Sequence, residues 1–93
     1  MRTFTRKKTY DELAAECERR GWAFHSKRHD DPKIGSDFVT VEFFAKDRAG
    51  TMLVSMFNGK FFGDLADGTH FNSDESTLDA APWFQELLEA VYV

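Results

Sequence analysis

Cysteine is almost missing from this chain: Cys17 is the only one in 93 residues, which excludes an internal disulfide and a cysteine-based zinc cluster and suits a reducing compartment. Long apolar runs are missing too. No stretch reaches the ~20 residues of a membrane-spanning helix, and the basic start (Arg2, Arg6, Lys7, Lys8) has no apolar segment behind it that would make a signal peptide. A cytoplasmic protein with no membrane partner is therefore expected. There is no Gly-rich phosphate loop, no Gly-x-Ser-x-Gly elbow, no His-Glu-x-x-His and no calcium-loop pattern, so no catalytic activity and no cofactor are expected. Positive charge is scarce in one half only. Up to Arg48 there are eleven Lys and Arg against nine Asp and Glu; after it Lys60 alone stands against seven carboxylates.

What is abundant is aromatic: ten Phe, two Trp and two Tyr, which give a small core area. The stretch from Phe38 to Phe71 carries most of the pattern. Phe38–Lys46 alternates, Thr51–Phe57 and Lys60–Leu65 are β-rich, and Thr69–Phe71 is short but similar. Between them Asp47–Gly50 reads as a four-residue loop with Gly50 left-handed, Asn58-Gly59 as a two-residue hairpin turn, and Asp67-Gly68 as another turn. The expectation is an antiparallel meander. Val39, Val41, Phe43 and Ala45 share its core face with Met52, Val54 and Met56, while Phe38, Thr40, Glu42, Phe44 and Lys46 point the other way with Thr51, Leu53, Ser55, Phe57, Phe62 and Asp64. That second face is expected to be partly covered by Trp22, the termini or a loop; left open, it would be an apolar patch for a partner or a second copy.

Thr9-Tyr-Asp-Glu12 is a capping box, and Tyr10, Leu13, Ala14 and Cys17 at helical spacing, followed by Arg19, Arg20 and Gly21, predict a helix over residues 10–20. Cys17 lies on its apolar stripe and reads as a core residue. Residues 1–8 read as a short edge strand or a basic arm, Trp22, Phe24 and Ser26 as one side of a strand, and His29–Asp37 as a surface loop broken by Pro32 and Gly35. A second helix is predicted from Asp79 as cap, with Pro82 in its first turn and Leu78 stapled to Trp83; Phe84, Leu87, Leu88 and Val91 form its stripe, and Tyr92 and Val93 pack on the sheet. Each helix has one apolar side and so does the sheet. The expected fold is one α+β domain over residues 1–93: three to five antiparallel strands with an N-terminal and a C-terminal helix packed on one face.

Candidate chemistry is thin. His25, His29, Asp30 and Asp31 are close in sequence, but His-x3-His shares a face only in a helix and Pro32 argues against one, so no metal site is expected. Asp64 and His70 flank the Asp67-Gly68 turn and read as a cross-strand polar pair in preference to a catalytic one. The seven late carboxylates, Asp64, Asp67, Asp74, Glu75, Asp79, Glu86 and Glu89, are the candidate partner-binding residues. If the connector after Asn72 folds beside the second helix they form a row of anions able to occupy a basic nucleic-acid-binding site on another protein.

A short chain, aromatic-rich and acidic, with the compact segment Asn58-Gly-Lys-Phe-Phe-Gly-Asp-Leu-Ala-Asp-Gly-Thr-His-Phe71 and the Pro82-Trp83-Phe84 helix start, resembles in type the small phage and mobile-element inhibitors of bacterial defence, anti-CRISPR proteins among them. Such proteins share no common fold, so the resemblance supplies neither a fold nor site residues. It implies a non-enzymatic inhibitor, a DNA mimic acting as a monomer or weak homodimer in a bacterial host's cytosol, whose partner is a basic, DNA-binding protein such as a CRISPR-Cas subunit. Two other readings stand beside it. One is a nucleic-acid-binding module using Arg2, Arg6, Lys7, Lys8, Lys27 and Arg28; the other is a housekeeping interaction or dimerisation domain using the face of Phe38, Phe44 and Phe62.

Overall fold

A computed structural model describes residues 4–25, 37–74 and 82–93. Helix α1 spans Tyr10–Arg20. The Thr9 hydroxyl accepts from the Glu12 N–H and the Glu12 carboxylate accepts from the Thr9 N–H, which completes the capping box. Gly21 stops the helix in the left-handed region at φ 76°, where a Cβ would be strained. Strands β1 (Ala23–His25), β2 (Phe38–Ala45), β3 (Arg48–Ser55), β4 (Phe61–Leu65) and β5 (His70–Asn72) follow, and α2 is Pro82–Val91. The strands are antiparallel and lie in sequence order, so the sheet is the expected meander with five members. The α+β class with a helix at either end is as read from the sequence.

Burial follows the predicted alternation. Val39, Val41, Phe43 and Ala45 of β2, Met52 and Val54 of β3, Phe61 and Leu65 of β4 and Phe71 of β5 form one apolar cluster with Leu13 and Cys17 of α1 and with Phe84, Leu87, Leu88, Ala90 and Val91 of α2. Both helices therefore cover the same face of the sheet. Edge-to-face ring contacts link Phe43 to Phe71 (5.8 Å) and Phe71 to Trp83 (5.8 Å), and the Phe61 and Phe84 rings meet tilted at 6.0 Å. Such a seam adds about 0.5–1.5 kcal/mol per pair to the area it buries.

The turns differ from the sequence expectation in ways that tertiary contacts explain. The β2–β3 connection has two residues, Lys46 and Asp47, with Ala45 opposite Arg48; Lys46 adopts φ 58°. Glu86 of α2 holds it there, accepting from the Lys46 N–H at 3.1 Å with the Lys46 ammonium 3.7 Å away. Gly50 is thus a strand residue and not a left-handed loop residue. It is required because Phe43 lies over it: a Cβ would fall 2.8 Å from the Phe43 Cζ and 2.4 Å from the Asp64 carbonyl. The β3–β4 connection has more than the two residues of an Asn-Gly turn. Strand β3 ends at Ser55, whose carbonyl takes the Gly59 N–H at 2.8 Å, and Gly59 itself is the left-handed residue at φ 79°. Lys7 and Tyr92 pack so closely on Gly59 that a Cβ would meet Lys7 at 2.7 Å. Between β4 and β5, Gly68 at φ 93° closes a three-residue turn in which Asp67 accepts from the Thr69 N–H.

Residues 4–8 are neither an edge strand of the sheet nor a free arm. They pair antiparallel with the end of the chain through the Thr5 N–H to the Val93 carbonyl, the Val93 N–H to the Arg6 carbonyl and the Lys8 N–H to the Val91 carbonyl. Tyr92 and Val93 accordingly pair with this segment, with Tyr92 against Phe4 at 5.7 Å and both rings packed on the edge of the core cluster. Pro82 heads α2, where its missing N–H costs nothing. The expected cap Asp79, its staple partner Leu78, and the loop from His29 up to Asp37 lie outside the described residues.

Candidate functional site

The face of the sheet turned away from the helices is the distinctive surface. Strand register puts Thr40, Leu53, Phe62 and Asn72 in one row across β2 to β5, and Glu42, Thr51, Asp64 and His70 in the next; each row crosses about 14 Å at the usual strand spacing. Phe44 is 63% exposed and Phe62 45%, and Phe57, just beyond β3, is 81% exposed. Phe38 and Phe62 meet edge-to-face at 5.8 Å. Two open depressions of about 370 and 360 Å³ lie side by side here and share Phe62 and Asn72.

The covering expected from Trp22 or the termini is not found. Trp22 belongs to the core layer, 5.8 Å from Phe43, with its indole N–H donating to the Phe44 carbonyl at 3.0 Å; the termini pair with each other. The loop that might have served lies outside the described residues, apart from Asp37.

The open face is acidic as well as aromatic. Its strand positions carry Glu42 and Asp64 and no Lys or Arg. His25 approaches Glu42 to 3.6 Å, and His70 Nδ1 is hydrogen-bonded to Asp64 Oδ1. At the edge, Asp37 accepts from the Ser55 hydroxyl at 2.8 Å, and Lys60 stands 3.9 Å from Asp74. Alternation along β2 already put Glu42 with Phe38 and Phe44. Alternation along residues 51–57 likewise put Phe57 on this side with Leu53, whereas Asp37 carried no such signal, because it lies where a turn gives way to β2.

Five of the seven sequence-predicted carboxylates are described, and they do not form one row. Asp64 lies on the open face and Asp74 at its edge. Asp67 sits in the β4–β5 turn 3.4 Å from Arg48, its carboxyl held below the usual carboxylate range by hydrogen bonds from Thr69 and, less, by Arg48. Glu86 and Glu89 belong to α2, in the other layer: Glu86 holds Lys46, and the Glu89 carbonyl accepts from the Lys8 ammonium at 2.8 Å. Glu75 and Asp79 lie outside the described residues. Sequence order hid this, since the meander folds Lys46 and Arg48 of the basic half onto carboxylates of the acidic half.

The remaining candidates resolve similarly. Cys17 is fully buried, and desolvation pushes its thiol up to about 11, which leaves little reactive thiolate. No group of three metal-ligating side chains occurs among the described residues; His29, Asp30 and Asp31 lie outside them. Of the basic residues proposed for nucleic acid, Arg6 makes a two-pronged contact with Glu12, Lys8 lies 3.8 Å from Glu16, and Lys7 packs on Gly59, while Arg2, Lys27 and Arg28 lie outside the described residues. No helix among the described residues is long and apolar enough to cross a membrane.

Fold and surface together define an α+β sandwich in which the described residues pack one sheet face and leave the other open. Comparison with known proteins finds no matching family model, no similar curated protein and no similar solved structure.

Proposed function

We propose that this chain is a non-catalytic binding domain that docks the open face of its sheet on a basic surface of a protein partner. One observation carries the reading: the face that exposes Phe44 and Phe62 also presents Glu42 and Asp64 and has no Lys or Arg at its strand positions. Exposed rings provide desolvation at the centre of a contact, and unneutralised carboxylates provide steering and choice of partner. Five strands three to eight residues long, spaced about 4.8 Å apart with a rise of about 3.3 Å per residue, give a patch of roughly 400 Å², which suits a modest interface. Basic patches of this size are typical of nucleic-acid-binding proteins, so occluding a DNA-binding subunit of a bacterial defence complex is the proposed biological role. The same charges oppose the other readings. Stacking bases on these rings would bring phosphates up to carboxylates, and an isologous dimer through this face would set Glu42 and Asp64 against an equally acidic copy.

The test compares three forms of the chain as bait for purified DNA-binding defence complexes, with DNA displacement read by mobility shift. Wild type and Glu86→Lys/Glu89→Lys are expected to bind and displace DNA alike, whereas Phe62→Ser/Asp64→Lys loses both activities. Loss confined to the α2 variant would return the function to the helix carboxylates, and equal behaviour of all three would end the proposal.

A further inference from the structure

Resting on the docking face proposed above, we infer that the depression between β3, β4 and β5 receives an arginine side chain of the partner, its guanidinium stacked on Phe62 and bonded to Asp64. The depression has a volume of about 370 Å³ and is lined by Thr51, Leu53, Phe62, Asp64, His70 and Asn72. Phe62 is its exposed ring. Phe38 braces that ring from the row on one side, and Asp64 lies in the row on the other side, so ring and carboxylate are neighbours along β4 at the ~7 Å spacing of alternate strand residues.

Asp64 differs from Asp67, Asp74 and Glu86 in what stands beside it. Asp67 has Arg48, Asp74 has Lys60 and Glu86 has Lys46, but among the described residues Asp64 has no Lys or Arg within ion-pair distance, only the His70 ring nitrogen on Oδ1. That bond fixes the carboxylate across the β4–β5 hairpin and leaves Oδ2 to an incoming donor. An anion is excluded by the charge. Between the two protein cations, the site's shape selects arginine: a planar, weakly hydrated guanidinium stacks on a ring face and offers forked N–H donors to a carboxylate, whereas a lysine ammonium is a compact, strongly hydrated point charge.

The experiment titrates the full-length ¹⁵N-labelled chain with blocked hexa-arginine and hexa-lysine peptides at ~0.1 M salt, where exposed charges more than about 10 Å apart are largely screened. Amide shifts are expected to centre on Thr51, Phe62, Asp64 and His70, with hexa-arginine about two- to fivefold tighter, the size of an exposed cation–π contact. Phe62→Leu, which keeps apolar bulk and removes the ring, is expected to bring hexa-arginine down to the lysine affinity and leave hexa-lysine unchanged. Equal affinities at this same face would overturn the arginine inference and leave the docking face standing. Shifts centred on α2, or no shifts with either peptide, would overturn both.

Discussion

Phe61 and Phe62 are adjacent on β4 and point to opposite faces, so truncating each in turn measures whether the second face is free. Phe61 is 1% exposed and touches the rings of Phe71 and Phe84, so Phe61→Ala removes a fully packed side chain and should cost about 3–5 kcal/mol. Phe62 is 45% exposed. Losing roughly half of a phenyl transfer free energy plus one ring contact with Phe38 gives about 1–1.5 kcal/mol for Phe62→Ala. Domains of this size hold about 5–15 kcal/mol in all, so Phe61→Leu, at about 1–2 kcal/mol, serves if Phe61→Ala does not fold. Urea unfolding followed by circular dichroism reads both as midpoint shifts at constant slope. A loss of 3 kcal/mol or more for Phe62→Ala would refute the reasoning, because only a side chain packed on both sides loses that much, and the docking surface would then be interior.

Two further outcomes follow from the interior and from α1. A Cβ on Gly63 would lie 2.0 Å from the Thr51 carbonyl oxygen, so Gly63→Ala should cost about 3 kcal/mol, against about 1 kcal/mol of left-handed strain for Gly68→Ala, which meets nothing within 4 Å; equal melting temperatures for the two would mean that β3 and β4 are less tightly apposed. At Glu16 desolvation favours the neutral acid, but hydrogen bonds from Arg19 and Arg20 and the charge of Lys8 outweigh it and hold the carboxyl at about 2, below the usual 4.5. A depressed carboxyl stabilises the fold above its unfolded value, so the melting-temperature gap between wild type and Glu16→Gln should be constant above pH 4.5 and close as the pH falls towards 2; a gap that persists unchanged at pH 2 would contradict it.

Local signals in the sequence were sufficient where each element is stabilised by its own residues. The Thr9–Glu12 box and Gly21 bound α1 correctly, and period-two alternation separated Val39, Val41 and Phe43 from Phe38, Glu42 and Phe44. Turn chemistry failed where a distant segment decides the backbone. Glycine at 50 reads as a turn residue, yet its small size serves Phe43, and the left-handed position passes to Lys46 because Glu86 reaches it from the last helix. Asn58-Gly59 lost its two-residue geometry in the same way, to Lys7 and Tyr92. The acidic row was illegible for a related reason: whether two carboxylates are neighbours depends on the layer each element joins, and α2 joins the layer opposite Asp64.

Charge asymmetry along a chain need not survive folding, and here it is redistributed. Arg48 is brought to Asp67 and Lys46 to Glu86, and Lys60 of the same half stands by Asp74, so three of the five described late carboxylates have a Lys or Arg beside them, two of these cations coming from the first half. What remains unanswered is set by strand parity. Glu42 comes from the basic half and Asp64 from the acidic half, yet both emerge on the side where no strand carries Lys or Arg, Glu42 3.6 Å from the His25 ring and Asp64 hydrogen-bonded to that of His70. That side also bears the rings the core does not use. A patch of exposed phenylalanine on a small monomer invites self-association, and like charges set among the rings oppose it while favouring a partner of the opposite sign. In the proposed function the aromatic and acidic characters of the face therefore act together: the rings would supply the contact area, and the carboxylates would decide what covers it.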